Sequence, residues 1–120
     1  MSGRMADRRA VVFLSHADPT SLRLAGSCAL AAAAAGTLVD VYLFGPAVRA
    51  LVEAHEGELD DPAVRLHEAR RAGGCRLVAC SASLVEERVP LEDAERALDA
   101  VVGWPTVLEW SRGVVDRFSF

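Results

Sequence analysis

Three short apolar runs, AVVFL at 10–14, LVDVYLF at 38–44 and RLVA at 76–79, each lead into a turn and then a helical stretch. This alternation constrains the fold more than any other feature of the chain. Runs of four to seven residues fit strands buried on both faces, and the longer segments between them fit helices. The pattern predicts an α/β fold, a single-domain three-layer sandwich with helices on both faces of a five-stranded parallel sheet.

Turn and cap residues set the expected elements. Asp18 and Pro19 supply an N-cap and first position for a helix over about 19–35, closed by Gly36. Its inward face is small (Ala25, Ala29, Ala32, Ala33), so it can lie close to a sheet. Gly45-Pro46 turns the second strand into a helix over 46–54. An acidic loop, 56–61, precedes a helix opened by Pro62 and ended by Gly73-Gly74. Ser81 starts a short helical turn after the third strand. Pro90 starts another helix, with Glu92 and Asp93 in the first turn, where the helix dipole favours them. A weak fourth strand is expected over 99–102, a helix from Trp104-Pro105 to Arg112, and a last strand in the alternating VVDRFSF at 114–120.

The length of 120 residues argues for one domain over 10–120, after a disordered, polar N-terminal tail at 1–9. The formal net charge of -4 gives no basic field, so direct nucleic-acid binding is not expected. All 13 basic residues are arginine, which excludes Schiff-base and Walker-lysine chemistry. The uncharged run at 24–39 is mostly alanine and falls short of the roughly 20 strongly apolar residues a membrane span needs. No membrane partner is therefore expected. Cys28, Cys75 and Cys80 are odd in number, form no CxxC and follow no signal-like segment, which fits free thiols in a reducing cytoplasm. No phosphate loop of the GxGxxG or GxxxxGK[ST] kind is present, and nothing calls for a cofactor.

Chemistry-bearing residues collect where strands end. Ser15 and His16 follow the first strand, Gly45 the second, Cys80, Ser81 and Ser83 the third, and Gly103 and Trp104 the fourth. Ligands of open α/β sheets bind at the carboxyl ends of strands, beside the topological switch. With a strand order of 2-1-3-4-5, His16 and Cys80 would flank that crevice. A cysteine that ends a strand and opens a helix meets free backbone N–H groups and the positive end of the dipole, which activate a thiol. Ser81 and Ser83 are candidates to support the sulfur. The opposing reading makes Cys80 a small core hydrophobe. Cys75 lies five residues earlier, roughly 16 Å away along an extended strand, too far to pair with Cys80 within one chain. Cys28 reads as core filler. His55 and His67 lack a spaced second ligand and read as solvated, with no metal site. Glu86 and Glu87 read as a wet face.

The segments DPTSLRLAGSCALAAAAAG, VDVYLFGPAV and CRLVACSAS, with a closing helix and strand ending in phenylalanine, resemble the DsrE/DsrF-like sulfur-relay family over nearly all of 10–120. The cysteine-serine pattern after the third strand is the most specific part. The resemblance implies that Cys80 accepts and passes on persulfide sulfur between a donor and an acceptor protein. It also implies a homotrimer or a homohexamer of paired trimers. Where the family has a glycine-rich stretch after strand 4, this chain has GWPT, so Trp104 narrows the expected pocket. His16, Gly45, Ser81, Ser83 and Trp104 are the expected binding residues, and the apolar set Trp104, Val107, Leu108 and Trp110 is the expected interface. A non-catalytic oligomeric binding module stands as the alternative. A redox sensor is the weaker third, since it needs a resolving thiol.

Overall fold

The apolar runs become parallel strands. A computed structural model describes residues 8–54, 57–58 and 60–120 of the chain. Its sheet consists of β1 (Arg9–Leu14), β2 (Leu38–Leu43), β3 (Cys75–Cys80), β4 (Ala100–Val102) and β5 (Asp116–Ser119), all paired in parallel. The helices are α1 (Pro19–Ala34), α2 (Pro46–Glu53), α3 (Val64–Ala72), α4 (Ser81–Glu86), α5 (Leu91–Ala97) and α6 (Trp104–Trp110). Arg9 already opens β1, and residues 1–7 lie outside the described residues.

The strand order is β4-β3-β2-β1-β5, not 2-1-3-4-5. Each of the first three crossovers steps to the neighbouring position in one direction. Only the connection from β4 reverses, carrying β5 back to the open edge of β1. Apolar runs and turn residues mark where strands lie, but they carry no sign for the direction of each step. Long-range packing decides that.

Strand alternation divides the core. Val12, Leu14, Val39, Val41, Leu43, Leu77 and Ala79 face a large cluster that also holds Leu22, Ala25 and Ala29 of α1, Leu51 of α2, Leu66 of α3, Leu84 of α4 and Ala97 of α5. Val11, Tyr42 and Val78 face the other way and meet Val107 of α6. Among the described residues, five helices thus cover one face, while the other has a single helix of seven residues.

The small face of α1 has a specific purpose at Gly26. A Cβ built there would lie 2.8 Å from the Cβ of Arg65, so α1 and α3 approach as closely as glycine permits. Asp18 caps α1 as the sequence suggests, its carboxylate accepting from the Ser21 amide at 3.0 Å. That bond, with a second from the Ser21 hydroxyl, holds the Asp18 carboxyl below its ordinary range. His67, expected to be solvated, is instead buried on α3, where Nε2 lies 2.7 Å from the Leu51 carbonyl. His55 lies outside the described residues.

On the thinly covered face, α6 is fixed at both ends. Trp104 stacks on Phe44 with ring centroids 5.1 Å apart. Trp110 receives the Arg76 guanidinium 4.0 Å from its ring centroid. Each contact contributes on the order of 1 kcal/mol. Arg76 is itself oriented by Asp40, to which its Nε and Nη2 donate at 2.9 and 3.0 Å, and Arg9 donates to the same carboxylate at 2.8 Å. Asp40 is only 3% exposed, so a buried carboxylate is held between two cations across three strands.

Candidate functional site

The reversal at β4 decides where the ligand crevice falls. The connection leaving β3 passes over the five-helix face and the connection leaving β4 passes over the other. Such a divergence between adjacent strands opens a crevice at their carboxyl ends. By that rule the ligand-binding position falls at the carboxyl ends of β3 and β4, not between β1 and β3 as the expected strand order placed it.

Cys80 stands at this point, paired with Val102 across the ladder. Its neighbour Ala79 packs in the large cluster, so the Cys80 side chain is directed to the thinly covered face. The Leu43–Ala79 pairing puts Phe44 level with Cys80 on the β2 side. The sulfur thus lies in a row between Phe44 and Val102, with the β4–α6 turn beside it. A Cβ on Gly103 would sit 3.7 Å from the Ser81 hydroxyl, which fixes how near that turn comes. Trp104 extends over Phe44 and is half exposed. Cys80 itself is 4% exposed.

Cys80 adopts an extended N-cap conformation (φ -74°, ψ 125°) and α4 starts at the next residue. No side-chain cap bond is formed there. Ser83 does not serve the sulfur in the way the sequence suggests. Its hydroxyl accepts from the Gly45 amide at 2.9 Å and so ties the end of β2 to α4. Gly45 has φ +53°, a left-handed conformation that suits glycine and lets β2 turn directly into α2. Ser81 remains beside the crevice. The site is consequently a thiol, a hydroxyl and two aromatic rings, held by a side-chain brace between two strand ends.

His16 is not part of it. One strand, β2, separates the end of β1 from that of β3, which sets them about 10 Å apart at the usual interstrand spacing. Its Nδ1 lies 3.3 Å from the Ser15 hydroxyl on the exposed rim. Phe44 belongs to the site and sequence reasoning passed over it. The signal was its period-two relation to Tyr42, which puts it on the face opposite Leu43. The other thiols are elsewhere. Cys75 lies at the far end of β3 and faces the five-helix side, where burial first, then Asp99 and Asp40, push its pKa up to about 12. Burial also raises the Cys28 thiol. Among the described residues, no three His, Cys, Asp or Glu side chains gather as a metal site. No described helix is long and apolar enough to cross a membrane.

No family model matches the chain, and no curated protein matches it in sequence. The fold is similar to that of the YchN protein from E. coli, with a TM-score of 0.65 at 18% identity, covering 94% of this chain and 99% of that one. At that identity the likeness establishes the fold.

Proposed function

We propose that the protein is a cytoplasmic sulfur carrier in which Cys80 accepts and hands on persulfide sulfur. The observation that carries this reading is the place of Cys80, at the carboxyl end of β3 beside the only divergence of connections along β1 to β4. Its support is the resemblance of the segment around Cys80 to the DsrE/DsrF-like family, together with the similarity of fold to YchN, a member of that family.

The chemistry is two thiol exchanges. The Cys80 thiolate attacks the outer sulfur of a donor protein's persulfide, the donor S–S bond breaks, and the donor thiolate leaves. Cys80 then bears the persulfide. An acceptor thiolate attacks its outer sulfur, and Cys80 departs as thiolate, with no net oxidation in either step. Because Cys80 is buried, transfer requires the Gly103–Trp104 turn to yield. Partner proteins supply and take the sulfur. The apolar outer side of α6, with Trp104 and Leu108 exposed, is the surface through which copies associate as a homotrimer or homohexamer.

Incubation with a persulfide donor followed by intact-mass measurement tests the reading. One added sulfur is expected in the wild type and in Cys28→Ser, and none in Cys80→Ser. Equal gain in Cys80→Ser would overturn it.

The burial of Cys80 favours a second reading, a non-catalytic oligomeric binding module using the same rim. An alkylation-rate profile against pH separates the two. A Cys80 that reacts no faster than a buried thiol at any neutral pH supports the module.

A further inference from the structure

At the amino ends of the strands, opposite the Cys80 rim, arginines crowd one end of an acidic protein. Arg8 precedes β1, Arg9 opens it, Arg76 lies near the start of β3, Arg112 follows α6 and Arg117 belongs to β5. The carboxylates beside them are Asp40, Glu109 and Asp116. A local positive surplus therefore exists in a chain whose net charge is -4. Arg8, Arg9, Arg112 and the turn at 113–116 line a cavity of about 560 Å³. A smaller cavity of about 220 Å³, lined by Asp40, Cys75 and Arg76 among others, shares Arg9 with it.

The arginines differ in how far they are committed. Arg9 and Arg76 neutralise Asp40. Arg117 donates to the carbonyls of Val114 and Ser111. Arg112 makes only a solvent-exposed i,i+3 pair with Glu109, which contributes little. The Arg8 side chain has no partner among the described residues, although its backbone is anchored by the Leu38 amide at 2.8 Å. Two guanidinium groups with spare donors thus line a cavity of small-molecule size. Among the described residues, Asp116 is the one carboxylate in its lining.

We propose that this cavity binds a small molecule bearing phosphate groups. The planar guanidinium fork matches phosphate oxygens in bidentate fashion, and its charge persists at any physiological pH. An open recess about the size of a small molecule, at one end of a negatively charged protein, suits a compact anion. It does not provide the long basic track that a nucleic-acid strand requires. The site is independent of the thiol chemistry at the other end of the sheet.

Isothermal titration with inorganic pyrophosphate tests it. Saturable one-to-one binding that weakens with added salt is expected. Arg8→Gln and Arg112→Gln should each lower affinity about tenfold, and Asp116→Asn should raise it by removing the repelling carboxylate. Both arginines are exposed, so thermal melting should show the variants folded. Cys80→Ser should bind like the wild type, which separates this site from sulfur transfer. No saturable heat, or unchanged affinity in the Arg8→Gln/Arg112→Gln double variant, would refute the proposal. So would a polyglutamate peptide that binds more tightly than pyrophosphate, since it would assign the cavity to an acidic protein partner.

Discussion

Cys75 gives the sharpest quantitative test of the structure. Its thiol is buried at the start of β3, and burial first, then the negative charges of Asp99 and Asp40, push its pKa up to about 12. The native state therefore holds the neutral thiol while the unfolded chain ionises near pH 8.5. A raised pKa stabilises the fold fully below the unfolded value, and the contribution is lost as pH rises toward the folded one. Between pH 8.5 and 10 the loss should approach about 2 kcal/mol, at about 1.4 kcal/mol per pH unit. Urea unfolding of the wild type and Cys75→Ala at pH 8 and pH 10 isolates this contribution, because Cys28 and Tyr42 titrate in both proteins. The expected result is a wild type that loses about 2 kcal/mol more than the variant across that interval. In parallel, iodoacetamide should modify Cys75 in the Cys28→Ser/Cys80→Ser protein about a thousandfold more slowly than a free thiol at pH 8, before any steric effect. Parallel pH dependence in the two proteins, or alkylation at the rate of a free thiol, would refute the reasoning.

Other substitutions probe the packing. Asp40→Ala should cost about 2–3 kcal/mol in denaturant unfolding, below the range for a fully buried pair, because Arg9 and Arg76 are 40% and 36% exposed and can turn to water. Gly26→Ala should destabilise by about 1–2 kcal/mol despite the better helix propensity of alanine, since the new methyl meets the Arg65 Cβ at 2.8 Å; a raised melting temperature would contradict the α1–α3 contact. Trp104→Ala should cost about 1 kcal/mol through the lost Phe44 stack and should speed alkylation of Cys80. An unchanged rate would mean the indole does not restrict the crevice.

The sequence disclosed the elements well and their arrangement poorly. AVVFL, LVDVYLF and CRLVAC carry their strands because strands buried on both faces need unbroken apolar runs. Asp18, Gly45 and Pro105 mark turns because each satisfies a local backbone demand. Strand order is not local: it depends on which edge of β1 each segment reaches, and no residue encodes that by itself. His16 was consequently placed beside Cys80, although β2 lies between their strands. His67 was misjudged for a related reason. A histidine on a mostly polar helix looks solvated until the Leu51 carbonyl of another helix is known to lie against it. Asp40 and Arg76 were passed over, although the sequence held a signal for them. Each is a single charge on one face of an otherwise apolar strand, and opposite charges at matching positions of neighbouring strands suggest a partner. The place of Cys80 at the end of β3 was legible because strand ends at a sheet's carboxyl edge are confined to few positions. Its burial was not, because the turn that approaches it comes from β4.

The pairing of β1 with β5 has a consequence for biogenesis. These strands form adjacent rows, yet the Ser15 amide reaches the Phe120 carbonyl across 105 positions of chain. Synthesis is vectorial, so β1 through β4 emerge and can pair while one edge of β1 still has no neighbour. An unpaired edge beside apolar residues is a template for wrong partners. Maturation therefore has a vulnerable interval that closes only when β5 arrives, and closing so long a loop is intrinsically slow. Substitutions that loosen β5 should thus lower the yield of folded protein during translation more than they lower the equilibrium stability of molecules already folded.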